Sequence, residues 1–396
     1  MARAKRRRLI WLVATVVVIV CAVCGCQSVS FYRQAIGGEL QILTHQKPIK
    51  ELLADTNTSA ALKHKFDVVL QSREFAHTNL HLPADDNYLK YVDLHREFAV
   101  WNVNAAPLLS LEPKRWWYPF VGKASYRGYF SRDAAVKYAK QLKKKGFDVY
   151  VGSVETYSTL GWFHDPVLNT FITEPDAELA EILFHELAHQ RIFISGDTDF
   201  NEAFATAVGE EGVRRWLQHD PTAYAKYQRD REEEGRFVKI VLDGQDRLEA
   251  VYNDPKLSDA QKLAAKRAII EEMRREHSAQ GLTNYDRWFS HEINNAKLNT
   301  VSAYYTLVPA FRALLKKNGG DLEKFYKAVQ QLGHMPKQKR HDALKQSLQK
   351  TVGGINRSTD IDALHAPKVD GALAPETGGT SDLRLQNSGS AKNRPG

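Results

Sequence analysis

The chain has 396 residues, 43% hydrophobic, 26% charged and 10% aromatic, which excludes wholesale disorder and allows at least one sizeable core. Its formal charge of +8 is uneven: Arg3, Lys5, Arg6, Arg7 and Arg8 supply five positive charges, leaving +3 for the sequence beyond residue 25. So small an excess excludes any charge-based case for a nucleic-acid partner.

The basic start is followed by an uncharged apolar run from Leu9 to Gly25, the form of an export leader. The run ends in Val23-Cys24-Gly25-Cys26, which resembles a bacterial lipobox. Cleavage there makes residues 1–25 a signal peptide and leaves Cys26 to carry lipid. The three cysteines all lie at 21, 24 and 26, so the mature protein is expected to hold no thiol and no disulfide. An uncleaved anchor helix gives the same sidedness. The expected location is the cell envelope, facing the periplasm and bound to a membrane through Cys26. Gln27 in place of aspartate is compatible with the outer membrane if the cell is Gram-negative.

Residues 28–70 read as helical, with Leu40, Leu43, Ile49, Leu52 and Leu53 near helical spacing and Pro48 as a break. From Phe75 to Tyr157 short aromatic and β-branched runs predict strands at 98–103, 126–130 and 148–151. Between the last two, residues 131–145 predict a helix that stops at Gly146. Helical patterns return from Asp176. The very polar stretch 228–280 predicts a long exposed helical hairpin broken at Asn253-Asp254-Pro255, and 294–311 reads as one helix. The expected units are an N-terminal helical and α+β part (26–175), a helical zinc-binding part (176–335), a C-terminal helical extension (336–365) and a disordered tail (366–396). The expected fold class is α+β, with a small sheet packed against a mainly helical half.

The chemistry concentrates at His185-Glu186-Leu187-Ala188-His189. Residues four apart share a helix face, so both imidazoles can reach one metal ion, with Glu186 beside them as general base. The apolar neighbours Leu183, Phe184, Leu187 and Ala188 suit a buried helix that opens one face to a cleft. A catalytic zinc needs a third protein ligand and one open position. Glu202, at the start of the next amphipathic helix, can return over that face. Its alternative role is in a capping box begun by Asp199. Asp197, Asp199 and Glu210 are rival ligands.

His-Glu-x-x-His followed by Asn201-Glu202-x-x-Ala205 resembles the gluzincin metallopeptidases. More closely, the chain resembles the bacterial lipoproteins grouped as predicted aminopeptidases. The likeness runs from about Val29 to Leu332 and takes in Gly37–Leu40, Val100–Val103, Tyr126–Phe130, Tyr157–Phe163, Asp165–Leu168, Phe184–His189 and Asp197–Ala205. The resemblance implies one Zn2+ held by His185, His189 and Glu202, with Glu186 catalytic, in a zincin-like half whose cleft meets the sheet. It implies peptidase chemistry on a peptide substrate. The Gly-x-Met-Glu-Asn string with which the well-known zinc aminopeptidases of this group grip an amino terminus is absent, since Met occurs only at 1, 273 and 335.

Gluzincins place a substrate-pairing edge strand just before the zinc helix. Tyr157, Gly161 and Trp162 are therefore candidate substrate contacts, with an ordinary buried loop as the alternative. Asn294 is a further candidate contact on the 294–311 helix. Tyr304 or Tyr305 on that helix is the candidate oxyanion donor, a core tyrosine being the alternative. The expected activity is zinc-dependent hydrolysis of peptide bonds. Hydrolysis of peptidoglycan cross-links, or a non-catalytic envelope scaffold that keeps zinc as a staple, are the competing expectations.

Overall fold

The computed structural model describes residues 31, 33–118, 122–156 and 164–352, the last five by backbone only. The leader with Cys26, the candidate contacts Tyr157, Gly161 and Trp162, and the 366–396 tail lie outside the described residues. Among the described residues, no helix is long and apolar enough to cross a membrane.

Residues 33–44 form α1, followed by β1 (Lys47–Pro48), α2 (Ile49–Ala54) and α3 (Ala60–Leu80). Pro48 acts as the expected break: it pairs in β1 and stands at the N-cap of α2. Helix α3 starts on Ser59, whose side chain accepts from the Leu62 N–H, and stops at a left-handed His81. It runs past Phe75, where strand character was expected. Ser72, Ala76 and Leu80 keep one buried helical face going to the end.

The strands follow as β2 (Lys90–Val92), β3 (Val100–Pro107), β4 (Trp116–Tyr118), β5 (Gly122–Ala124) and β6 (Tyr126–Tyr129). After them come α4 (Arg132–Lys144), β7 (Phe147–Val154) and β8 (Val167–Leu168). They make small sheets, of order β6-β3-β7, β1-β2-β8 and β4-β5. Strand β3 is antiparallel to both neighbours, with Asn102 opposite Gly128 on β6. Side chains alternate across it. Val103 and Ala105 pack on Ala135, Ala139 and Leu142 of α4, while Asn102 and Asn104 face the other way.

The helical part contains α5 (Asp176–Arg191), α6 (Thr198–Trp216), α7 (Pro221–Asn253), α8 (Asp259–Gln280), α9 (Asp286–Ser290) and α10 (Asn295–Tyr305). It ends with α11 (Val308–Lys317), α12 (Leu322–Gly333) and α13 (Lys337–Val352). The class is α+β, mainly helical. Helices α7 and α8 form the expected hairpin, but only its outer side is polar. Phe237, Val241, Leu248 and Met273 build a second core inside it, where Tyr285 stacks on Phe237 at 4.1 Å. The single helix expected over 294–311 is two. Pro309 lacks an N–H and its ring clashes with the carbonyl four residues back, so the chain breaks at Thr306 and restarts with proline in the first turn of α11.

Helix α5 runs through the main core with every residue from Glu178 to His189 buried. Helix α6 lies close along it because two positions carry no side chain. A Cβ at Gly209 would stand 3.2 Å from the Glu181 carbonyl oxygen, and one at Gly212 would stand 2.4 Å from the Phe184 ring. Phe184 is fully buried and has nowhere to move. Gly212→Ala is therefore expected to destabilise the fold by about 1–3 kcal/mol, the usual effect of overpacking, despite alanine's better helix propensity. A urea midpoint equal to or above that of the natural protein would contradict the close packing.

The turn between α5 and α6 is held by Asn201, whose side chain accepts from the Ile194 N–H at 2.8 Å and donates to its carbonyl at 2.9 Å. Asp197 ties the same turn to α13. It is buried against Arg340 at 2.9 Å, His341 at 2.9 Å and Lys337 at 3.0 Å. Burial opposes its charge, but His341 and Lys337 outweigh burial and hold its carboxyl down to about 2. A carboxyl lowered on folding stabilises the fold above its ordinary value of 3.8. That contribution, about 2 kcal/mol, is lost as pH falls through the folded value. The stability margin of the natural protein over Asp197→Asn, measured by urea unfolding, is expected to shrink between about pH 4 and pH 2; a margin constant over that range would refute it.

Candidate metal centre

His185 and His189 stand one turn apart near the C-terminal end of α5, and Glu202 comes from the first turns of α6. Their ligand atoms form a tight triangle. The two imidazole Nε2 atoms are 3.1 Å apart, and each lies 3.4 Å from the Glu202 Oε2. Ligands on a tetrahedral ion at 2.0–2.1 Å stand roughly 3.3 Å apart, so the three fit one small divalent cation. Among the described residues this is the group of His, Cys, Asp and Glu side chains able to hold a metal ion.

The electrostatics of the triangle agree with its geometry. Burial opposes ionisation of Glu202, but His189 and His185 outweigh it and hold the carboxyl down to about 2. His189 is raised in turn: burial lowers it, and Glu202 more than compensates. The rival ligands are engaged elsewhere. Asp197 holds α13, Asp199 meets Lys337 at 3.2 Å, and Glu210 accepts from Arg312 at 2.6 Å. Helix α6 starts at Thr198 with Asp197 at its N-cap, so Asp199 begins no capping box and Glu202 is not its partner.

Other contacts fix α5 from outside. Asp176 meets Lys65 at 2.7 Å, tying its first turn to α3. Tyr227 of α7 donates to Glu181, one turn before His185, at 3.0 Å. Gln190, just after His189, bonds with Asn87 and Asp165.

Glu186 is buried beside the triangle, and burial is the largest influence on it, pushing its carboxyl above the ordinary value. It opens with His185, His189 and Glu202 into a cleft of about 330 Å³, which Tyr126 of β6 and Tyr304 of α10 also line. The Tyr304 ring lies 6.5 Å from that of His185, nearly parallel to it. Tyr126 is missing from the sequence reading, although its string is one of those carrying the family resemblance. Its phenol is pushed up first by burial and then by Glu202 and Glu186, so it stands near both carboxylates. The only sequence signal for this was the Tyr126–Phe130 string itself, which marks the strand and not its facing.

Two expected site residues lie elsewhere. Tyr305 is buried and donates to Glu234 at 2.8 Å, in the network around Arg231. Asn294 caps α10 and donates to the Val149 carbonyl at 3.2 Å and to Glu292 at 3.0 Å. The neighbouring amides serve the structure too. Asn295 donates to the carbonyls of Pro107, Leu108 and Ser110, and Asn299 to that of Leu111.

A family model described as "Putative aminopeptidase" matches residues 30–344, a span that includes every residue of the triangle. No curated protein and no solved structure matches the chain.

If the triangle is the metal centre, His185→Ala, His189→Ala and Glu202→Ala should each lose bound divalent metal by elemental analysis. Asp199→Ala and Glu210→Ala should retain it. Metal kept at full occupancy by Glu202→Ala would remove Glu202 from the ligand set.

Proposed function

The chain belongs to the family described as "Putative aminopeptidase", and on that premise we propose that it is a zinc-dependent metallopeptidase. The observation that carries this reading is the triangle of two imidazoles and one carboxylate with a buried carboxylate, Glu186, next in sequence to one of its members. His185, His189 and Glu202 would hold one Zn2+ in the zincin-like helical half, and when bound it would supply Lewis acidity. Three ligands leave a position open, whereas a structural staple usually closes with a fourth.

Glu186 is the general base. Burial raises its proton affinity, which brings it closer to neutral pH and lets it both take a proton and return it to the leaving amine. Tyr126 and Tyr304 approach the cleft from the sheet and from α10, and their hydroxyls are the candidate donors to the carbonyl oxygen as it gains charge. In the same reading, the leader before Cys26 directs this chemistry to the periplasmic face of the cell envelope, with a lipid anchor on Cys26. In a Gram-negative cell the membrane is the outer one. The substrate is a peptide.

A digest of a peptide library by the purified protein tests the activity. Glu186→Gln is expected to keep its zinc while losing turnover by about 100-fold or more. Full hydrolysis by that variant would remove Glu186 from the chemistry.

Tyrosine substitutions separate the phenols. Tyr126→Phe or Tyr304→Phe should lower kcat by roughly 100-fold where the hydroxyl is the oxyanion donor. Tyr305→Phe should leave kcat near normal and lower stability, because Glu234 loses a buried donor. Wild-type turnover by both Tyr126→Phe and Tyr304→Phe would mean that neither phenol acts.

A further inference from the structure

A second chamber, of about 200 Å³, adjoins the metal cleft. The two share a wall of four half-buried residues: Asn102, Tyr126, Thr198 and Tyr304. The cleft side carries apolar groups beside the triangle, among them Val100, Phe130, Val154 and Phe193. Amides, hydroxyls and charged groups also reach the chamber, among apolar groups such as Leu111, Pro113 and Leu307.

Most of those polar groups already have partners. Asn299 is bound to the Leu111 carbonyl and to Gln245, and Ser302 also accepts from Gln245. Arg115 meets Glu112 at 3.0 Å, Asp199 meets Lys337, and His341 meets Asp197. Two groups differ. The side-chain amide of Asn102 makes no hydrogen bond among the described residues, and it lines both spaces. Lys345 of α13 stands exposed at the chamber with no acidic partner among the described residues.

Asn102 owes its position to the sheet. It sits on the side of β3 turned away from α4, opposite Gly128, and a Cβ on Gly128 would lie 3.2 Å from the Asn102 Oδ1. The missing side chain leaves the amide room. An amide offers a donor and an acceptor together, which suits a peptide group. An unpaired ammonium suits a carboxylate.

We propose that this chamber is a substrate subsite that takes a polar, carboxylate-bearing part of the peptide, held at its backbone by Asn102 and answered by Lys345. The inference rests on the peptidase reading and adds a substrate class to it. The substrate has an apolar residue on the cleft side and an acidic side chain or a free C-terminal carboxylate on the chamber side.

Binding separates this proposal from catalysis. Full-length, zinc-loaded Glu186→Gln protein is titrated with labelled peptides that carry Asp, Asn or Leu at each position in turn. Every peptide is made both as the free acid and as the C-terminal amide. At one position the carboxylate form should bind about three- to fivefold more tightly than Leu, the range of an exposed ion pair. Dependence on Asp identifies a side chain as the source, and dependence on the free acid identifies the chain end. Asn102→Ala should weaken binding of every peptide by about fivefold, one neutral hydrogen bond. Lys345→Glu should abolish or invert the preference for carboxylate. Equal binding of Asp, Asn and Leu at every position together with equal binding of free acid and amide, or a carboxylate preference that survives Lys345→Glu, overturns the subsite while leaving cleavage by the natural protein intact. Peptides that neither bind this variant nor are cleaved by the natural protein overturn both readings.

Discussion

The close approach of α6 to α5 is the constraint on which the rest depends. It sets a carboxylate against two imidazoles inside the core, where an unpaired charge would be costly. The histidines hold the Glu202 carboxyl low, and Glu202 in turn raises His189 against the effect of burial. Glycine at 209 and 212 allows the approach, and the Asn201 staple sets where α6 begins. The contacts of Asp176, Glu181 and Gln190 with other elements keep α5 from rotating or sliding, which would separate the imidazoles from the carboxylate.

Two glutamates a short distance apart, Glu186 buried and Glu202 half-buried, are driven in opposite directions. Glu202 sits against both imidazoles and stays low, as a ligand must. Glu186 feels burial first; His185 and His189 pull against it, but burial, with Glu202 and Asp165 adding to it, wins and the carboxyl goes up. One environment therefore yields a permanent anion and a proton acceptor. The separation comes from direct contact: both imidazoles bond the Glu202 carboxylate, whereas they act on Glu186 only through their charge.

The sheet contributes the other wall. Alternation along β3 buries Val103 and Ala105 on α4 and leaves Asn102 and Asn104 on the opposite side. Polar residues in the middle of a central strand are poorly suited to a core, and here they line open space. Helix α10 closes the arrangement. Its amides bond the carbonyls of residues 107–111, fixing the helix so that Tyr304 turns to the triangle and Tyr305 to Glu234.

By itself the sequence determined the elements with strong periodicity and the local chemistry of α5. The strands expected at 98–103, 126–130 and 148–151, which the structure places at 100–107, 126–129 and 147–154, the helix after Ser131, the hairpin broken at Asn253 and the pairing of His185 with His189 follow from short-range rules: alternation, caps and the helical repeat. Strands of two or three residues carry no period and were not legible. The end of α3 and the break at Thr306 differ from the sequence expectation, the first because tertiary burial extends the helix, the second because Pro309 ends it. Only the tertiary structure decided which acid joins the histidines, because Asp197, Asp199, Glu202 and Glu210 differ in what they meet across the fold and not in local pattern. It likewise decided between two adjacent tyrosines, about 100° apart on a helix, and brought in Tyr126 and Asn102 from strands distant in sequence. A side chain's neighbours across the core depend on how whole elements pack, and no local rule encodes that.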